Sequence, residues 1–430
     1  MTDKKSFADW LRDYAIAAET LDPQAPLDDL EPLRDVIGHA RVLAIGESAH
    51  YVREFYLLRH RLLRFLAERC GFTVYALEAP FTEAHAIDTW IQGGPGTVEE
   101  VTAAGVAFNQ GSTQEMHDHL EWMRAHNRTA APPLRFAGTG VPASGGSPLP
   151  ALEEVAAYLR RADPDALPLL EQATDLARKY HDTATFKALF RYTTLDKNVQ
   201  DALSAALSRL LARMETTGAY RRSQSRGLEH ATALQHLRGV WHLDHFHRDF
   251  AGRGISVEHP HALHDAFMAE SVLRLLENGT PDTRIVVASH NIHIQKTPII
   301  QDGAVGLLPG GYHLAEALGD DYVAIAATSN RGRTARVHMD PEHPLSFEVR
   351  DLPLPLPADG SVEAAFATGA PLAAADLRSA RPDVYDAESF QRTRMEDYFM
   401  DVPVFDAFDA VAHVPHTSCT PYVTAQPGSP

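Results

Sequence analysis

Two stretches, Arg41-Val-Leu-Ala-Ile-Gly-Glu-Ser-Ala-His50 and Thr73-Val-Tyr-Ala-Leu-Glu78, decide how this chain folds. Each opens with a short apolar run and ends in ionisable residues. Between them, from about Tyr51 to Cys70, lies a helix-like stretch closed by Gly71. Short apolar strands joined by a helix are the pattern of a buried parallel sheet. Such sheets bind ligands just beyond the carboxyl ends of their strands. The sequence therefore predicts that Glu47, His50 and Glu78 meet at one crevice, and the chain reads as an enzyme.

Further along, Leu134-Arg-Phe-Ala-Gly138 is a third short strand, and Val141–Pro150 is a loop by its Gly, Ser and Pro content. From about 151 to 250 no strand pattern stands out. Leu195, Val199, Leu203, Leu207, Leu210 and Leu211 repeat every three to four residues, which is helical spacing. The α/β texture returns with a helix over about His261 to Glu277, a run Arg284–Ser289 and a run Tyr322–Ala327. The expected architecture is α/β: a mainly parallel central sheet flanked by helices, with a helical insertion forming part of the cleft. Residues 1–150 and 251–430 make the two parts of the core, and 151–250 make the insertion. The segment from about Pro353 is rich in Pro and Ala, and its last fifteen or so residues read as loosely held.

The fourth strand end adds to the crevice. Arg284–Ser289 runs into His290-Asn-Ile-His293, two imidazoles three residues apart. If these strands share one sheet, Glu47, His50, Glu78, His290 and His293 converge. Arg59 belongs with them. The apolar stripe Phe55, Leu58, Leu62, Phe65 and Leu66 places Arg59 on or beside the buried face of its helix. A buried guanidinium needs carboxylate partners, and Glu47 and Glu78 are the nearest by topology.

Composition narrows the function. The chain has 430 residues, 44% hydrophobic and 22% charged, with 39 basic against 57 acidic side chains and a net charge of −18. That balance argues against phosphate-backbone binding, which needs basic surface. No apolar run approaches the ~20 residues that span a bilayer. The N-terminus lacks a secretory pattern. Two cysteines, Cys70 and Cys419, make neither a disulfide framework nor a thiolate metal cluster. The expected setting is cytoplasmic, with a small-molecule ligand and neither nucleic acid nor membrane as partner.

These residues resemble the erythromycin esterase family. The resemblance rests on Gly46-Glu47-Ser-Ala-His50 followed by Glu54-Phe55 and the basic helix Arg59–Leu66. It rests also on Gly71-Phe72 leading to Glu78-Ala79, and on His290-Asn-Ile-His293 preceded by Asp265-Ala-Phe-Met-Ala269. It spans roughly residues 40 to 330. The resemblance implies a deep cleft for an ester substrate and hydrolysis without metal or other cofactor. It makes His50 the general base on a water and matches Glu47, Arg59, Glu78, His290 and His293 to the other site positions. Where the family often has Gly, this chain has Tyr51 beside the base. Where it commonly has Arg, this chain has His264. Tyr51, His242, His245, His259 and His264 are accordingly expected to shape the substrate side of the cleft.

The chemistry agrees from below. A positioned His is the commonest base for water, worth roughly 10²–10⁴-fold in rate, and a Glu beside it fixes its tautomer. Arg59 or the second imidazole pair could stabilise an oxyanion. No Gly-x-Ser-x-Gly elbow is present for a serine nucleophile. Two rivals stand beside this reading. Glu47, His50, Glu78 and His290 could ligate a divalent ion, as could the seven histidines between His236 and His264. The same scaffold could also run a cyclase or lyase reaction, because a fold does not dictate chemistry.

Overall fold

The computed structural model describes residues 4–224, 226–253, 262–301, 304–340, 342–366 and 369–424. Nine strands form the main sheet: β1 (Ile16–Ala18), β2 (Val42–Ile45), β3 (Val74–Pro80), β4 (Arg135–Gly140), β5 (Ile285–Ala288), β6 (Tyr322–Met339), β7 (Phe347–Pro353), β8 (Leu372–Asp376) and β9 (Ala410–Thr417). Their order is β1-β8-β9-β6-β2-β5-β3-β4, with β7 hairpinned onto β6. The run from β9 to β4 is parallel throughout, and β8 and β7 are antiparallel to their neighbours. The mainly parallel sheet is thus what the apolar runs led one to expect.

Both faces of the parallel region are covered, which is why its strands read as continuous apolar runs. Leu43, Ile45, Tyr75, Leu77, Val286 and Ile325 pack on one side against Phe55, Leu58, Leu62 and Phe65 of the helix Arg53–Cys70. Val42, Ala44, Val74, Ala76, Ile285 and Val287 pack on the other against Ala269, Val272 and Leu276 of the helix Ala262–Asn278. Burying an aliphatic or aromatic side chain is worth about 1.5–3 kcal/mol, so these two layers fix the register. Because side chains alternate faces, a one-residue slip would exchange the layers.

Residues 149–253 carry helices only among those described. Two long helices, Lys197–Ser223 and Gly227–Arg253, pack together with Leu149–Ala162 and Leu167–Ala177 around Leu159, Leu203, Leu207, Leu210 and Leu237. Gly227–Arg253 also packs on Ala262–Asn278, which joins the insertion to the sheet. No described helix is long and apolar enough to cross a membrane.

Two expectations fail. The segment beyond Pro353 supplies β8 and β9, and β9 sits inside the sheet beside β6. Of the end expected to be loosely held, the part up to residue 424 is anchored instead, and 425–430 lie outside the described residues. The Ser418 backbone N–H and hydroxyl both donate to the Glu54 carboxylate, at 2.7 Å each. Cys419, Thr420 and Val423 are buried. The reason is the sheet: without β9 one side of β6 and one side of β8 would lose their partner, and the chain after β9 closes over Tyr51. The helix also starts at Arg53 rather than Tyr51, because Tyr51 has φ +59°, a left-handed value that a right-handed helix cannot use.

Candidate active site

Glu47 and His290 follow β2 and β5, and Glu78 lies within β3 near its carboxyl end, where the strand runs on to Pro80; the three strands are neighbours in the order β2-β5-β3. Gly46 and Asn291 explain how the turns close so tightly. Asn291 donates its side-chain amide to the Ala327 carbonyl (2.9 Å) and accepts from the Ala327 N–H (3.1 Å), stitching β5 to β6 across the end of β2. A Cβ on Gly46 would lie 1.9 Å from the Asn291 amide oxygen. No side chain fits there, so the Gly-Glu and His-Asn pairs of the two signatures are one structural unit.

His50 Nδ1 is 2.9 Å from Glu47 Oε1, and Arg59 Nη1 is 3.1 Å from the same oxygen. Glu47 and Arg59 are each only 2% exposed, so the pair sits in low dielectric where its attraction is strong. Arg59 also lies over the Tyr56 ring at 4.9 Å. On the cleft side, His50 Nε2 is 4.0 Å from Glu78 Oε1, and the His50 and His290 rings are 5.6 Å apart, edge to face. Glu78 Oε2 accepts from the Ser289 hydroxyl (2.6 Å) and the His290 N–H (2.9 Å). His293 Nε2 is 3.6 Å from Glu78 Oε1, and its Nδ1 is 2.9 Å from Asp265 Oδ1.

These contacts give three imidazoles three different states. Burial opposes charge on His50, but its bond to Glu47 and the charges of Glu47 and Glu78 outweigh this and raise its pKa above the ordinary 6.5. Burial and the neighbouring His50 charge push His290 down to about 4, so it is neutral. Its Nδ1 accepts from the Ile292 N–H (3.3 Å), which leaves the proton on Nε2. Burial is overcome at His293 by Asp265 and then Glu78, which lift it to about 9. Burial raises both glutamates, yet Arg59 and His50 hold Glu47 low, and His293 and His50 hold Glu78 far lower.

The six core residues of the expected site, Glu47, His50, Arg59, Glu78, His290 and His293, are brought together. The expected substrate-side residues are not brought together with them in the same way. His264 is adjacent, its ring 5.6 Å from His293. Tyr51 does not line the cleft: it is fully buried, stacks on Tyr422 at 5.7 Å, and packs with Phe347 and Cys419. Its positive φ turns the side chain away from the direction taken by His50. His242 faces Glu270 (3.7 Å) and Phe267, and His245 packs on Trp241 at 4.2 Å. Among the described residues, neither touches the six. His259 lies outside the described residues.

Four contributors carry weak signals in the sequence or none. Asp265 is visible there only as part of a motif, although its adjacency to His264 at a helix start is a signal. Ser289 is visible only as a strand end. Phe108, whose ring lies 6.4 Å from His50, stacks on Phe186 of the insertion and meets Phe347 edge on, forming an apolar wall. Glu396, from the hairpin Arg392–Asp401, donates its N–H to the Ser48 carbonyl (2.7 Å) and pairs with Arg336 (3.2 Å) at the rim. Neither Phe108 nor Glu396 carries a periodic or motif signal.

A cavity of about 1380 Å³ lies elsewhere, along the start of β3 and β4, lined by residues such as Thr73, Arg135, His85 and Gln235. None of the six residues lines it, so the chemistry and not the cavity locates the site. Among the described residues, His264, Asp265 and His293 offer donor atoms within 4.8 Å of one another, the one grouping of metal-ligating type that close.

The arrangement can therefore orient a basic imidazole beside a neutral N–H donor in a mostly buried crevice, with a carboxylate fixed between them. Comparison with known proteins agrees in scale. The family described as erythromycin esterase matches residues 67–417. The chain is 32% identical over 420 residues to erythromycin esterase type II of Escherichia coli, covering 97% of this chain and 99% of the relative. It is 26% identical over 410 residues to erythromycin esterase type I of the same organism, covering 92% and 95%. Its fold matches that of a mutant of the erythromycin esterase EreC in its open conformation, with TM-score 0.83, 24% identity, and coverage of 95% and 99%. It also matches a succinoglycan biosynthesis protein, with TM-score 0.77, 20% identity, and coverage of 96% and 97%. The chain belongs to the erythromycin esterase family of ester hydrolases.

Proposed function

We propose that this protein hydrolyses a carboxylic ester or lactone by attack of a water that His50 deprotonates, with no metal in the reaction. The observation that carries this reading is the Glu47–His50 bond. Glu47 occupies Nδ1 at 2.9 Å, which leaves Nε2 as the basic nitrogen facing the crevice. Glu47 also stabilises the imidazolium that forms when the water gives up its proton, as a triad carboxylate does. Arg59 is the counter-charge that keeps Glu47 ionised while buried.

The ester carbonyl lies between His50 and His290 in this scheme. The His290 Nε2–H is the donor that meets the developing oxyanion, a role in which a neutral imidazole avoids repelling His50. Glu78 holds the His290 backbone and the Ser289 hydroxyl, so the donor is fixed before the substrate arrives. The tetrahedral intermediate then expels the alkoxide, and the proton on His50 returns to it. Phe108 and Phe186 form the apolar wall for the body of the substrate, and His264 approaches it from the opposite helix. Similarity to two named erythromycin esterases makes a macrolide lactone the first substrate to try, beside simple aryl esters.

Activity against such a panel tests the reading. His50→Ala should lose at least a hundredfold in turnover on every ester that the wild type cleaves, given the usual worth of a general base, about 10²–10⁴-fold. Retention of more than about a tenth of the activity would remove His50 from the role of base.

A further inference from the structure

Asp265 is fully buried at the start of the helix Ala262–Asn278. One of its oxygens is well used: Oδ1 accepts from His293 Nδ1 (2.9 Å) and from the Gly310 N–H (2.8 Å). The other, Oδ2, is buried with no hydrogen-bond partner among the described residues. A bare carboxylate oxygen in the interior is costly, and such groups are normally met by a donor or a cation. His264 and His293 are close by, and one donor atom from each of the three residues lies within 4.8 Å of the others. The end of β4 makes room for this: a Cβ on Gly140 would come within 3.2 Å of His264 Nε2.

We propose that His264, Asp265 and His293 form a binding site for a divalent transition cation of the Zn²⁺ type, and that an ion held there blocks ester hydrolysis. Two imidazoles and one carboxylate are the three protein ligands of many open zinc sites, and they disfavour Mg²⁺ and Ca²⁺, which take mostly oxygen. Ligands at 2.0–2.2 Å from Zn²⁺ stand roughly 3.4 Å apart in a tetrahedron, so donors within 4.8 Å of one another need contract by no more than about 1.4 Å. An ion within reach of Asp265 takes His293 Nδ1 in place of the Asp265 hydrogen bond, leaving Nε2, 3.6 Å from Glu78 Oε1, to carry the proton. It would thereby shift the imidazole that faces the carboxylate fixing the His290 backbone. The site shares His293 with the His50 centre but none of its other five residues, and in the hydrolase reading that centre works without an ion. The blocking half of the proposal rests on the ester-hydrolase reading; the binding half does not.

The test starts from protein stripped by chelation and titrated with Co²⁺, read by visible absorption, and with Zn²⁺, read by calorimetry, without any ester present. One equivalent should bind, with the intense Co²⁺ absorption of a low-coordinate nitrogen and oxygen site. His264→Ala and Asp265→Asn should each weaken binding by about a hundredfold, since even outer partners of a metal site are worth about 10–100-fold. His338→Ala, at an exposed histidine of β6, should bind as the wild type does. If Asp265→Asn fails to fold, His264→Ala at its partly buried position decides. Absence of one-equivalent binding, or equal binding by the His264 variant, overturns the site. Zn²⁺ at one equivalent should also suppress ester turnover, and full activity with the site saturated overturns the blocking. Because binding is read without substrate, the titration decides the site even for a protein that cleaves no ester.

Discussion

The strand-end histidines and the insertion histidines have the same side chain and opposite fates. His50 and His293 each bond a carboxylate through Nδ1 and have raised pKa values. His236 and His247 are as deeply buried but bond a threonine hydroxyl and the Gly145 carbonyl instead. Burial then dominates their charge state, pushing them down to about 3 and about 4. His290 shows that a strand end is not enough: burial, with the charges of His50 and His293, outweighs Glu78 and Glu47, and it too stays neutral. An imidazole becomes a base when a buried anion is fixed behind it, and it becomes a core side chain when only neutral acceptors are within reach. The dense histidine run of the insertion is therefore a poorer pointer to chemistry than three scattered histidines at strand ends.

The sharpest way to break this contrast is to remove the charge behind the base. Arg59→Met leaves Glu47 buried without its counter-ion, and stability should fall by about 3–5 kcal/mol in a urea titration. A loss under about 1 kcal/mol would mean the pair is not what holds Glu47 ionised. Next comes the neutral strand-end imidazole. His290→Leu should cost about 10²–10³ in kcat, about 2.7–4 kcal/mol, if it is the oxyanion donor, with the melting temperature little changed. On the insertion side, His247→Leu leaves the Gly145 carbonyl unpaired and should cost about 1–3 kcal/mol of stability while kcat per folded molecule stays the same. His245→Gln, on its Trp241 contact, should move stability by no more than about 0.5 kcal/mol. The smallest expected effect is that of exhaustive chelation, which should not lower ester turnover; loss of turnover restored by one equivalent of metal would transfer the mechanism to the ion.

Much of this centre is legible because strand ends are easy to read. Apolar runs bounded by Glu and His fix both the sheet and the level at which its ligands gather, and the stripe around Arg59 fixes which way the guanidinium points. What stays hidden depends on backbone detail or long-range pairing. Tyr51 is next to His50 in sequence, but φ +59° turns it into a separate cluster with Tyr422. Leu372-Ala-Ala-Ala-Asp376 and Ala410–Thr417 pair as strands although Ala has little strand preference; neighbours already in the sheet decide that. Phe108 reaches His50 from a segment where it and Asn109 both have positive φ, a conformation no periodicity signals. The histidines at 242 and 245 are close in sequence, yet their partners are Glu270 and Trp241, on two different helices.

The central claim is that His50, tuned by Glu47, is the base. The pH dependence of kcat/KM for one ester, set beside the NMR titration of the His50 ring in the same protein, tests it most directly. Only the neutral imidazole can take a proton from water, and Glu47 raises its pKa. Activity should therefore fall on acidification through a single limb above the ordinary value of about 6.5, coincident with protonation of His50. In Glu47→Gln that limb and the ring titration should move together to lower pH. A rate that stays flat while His50 takes up its proton, or a limb that stays in place when the His50 titration moves, would contradict the account.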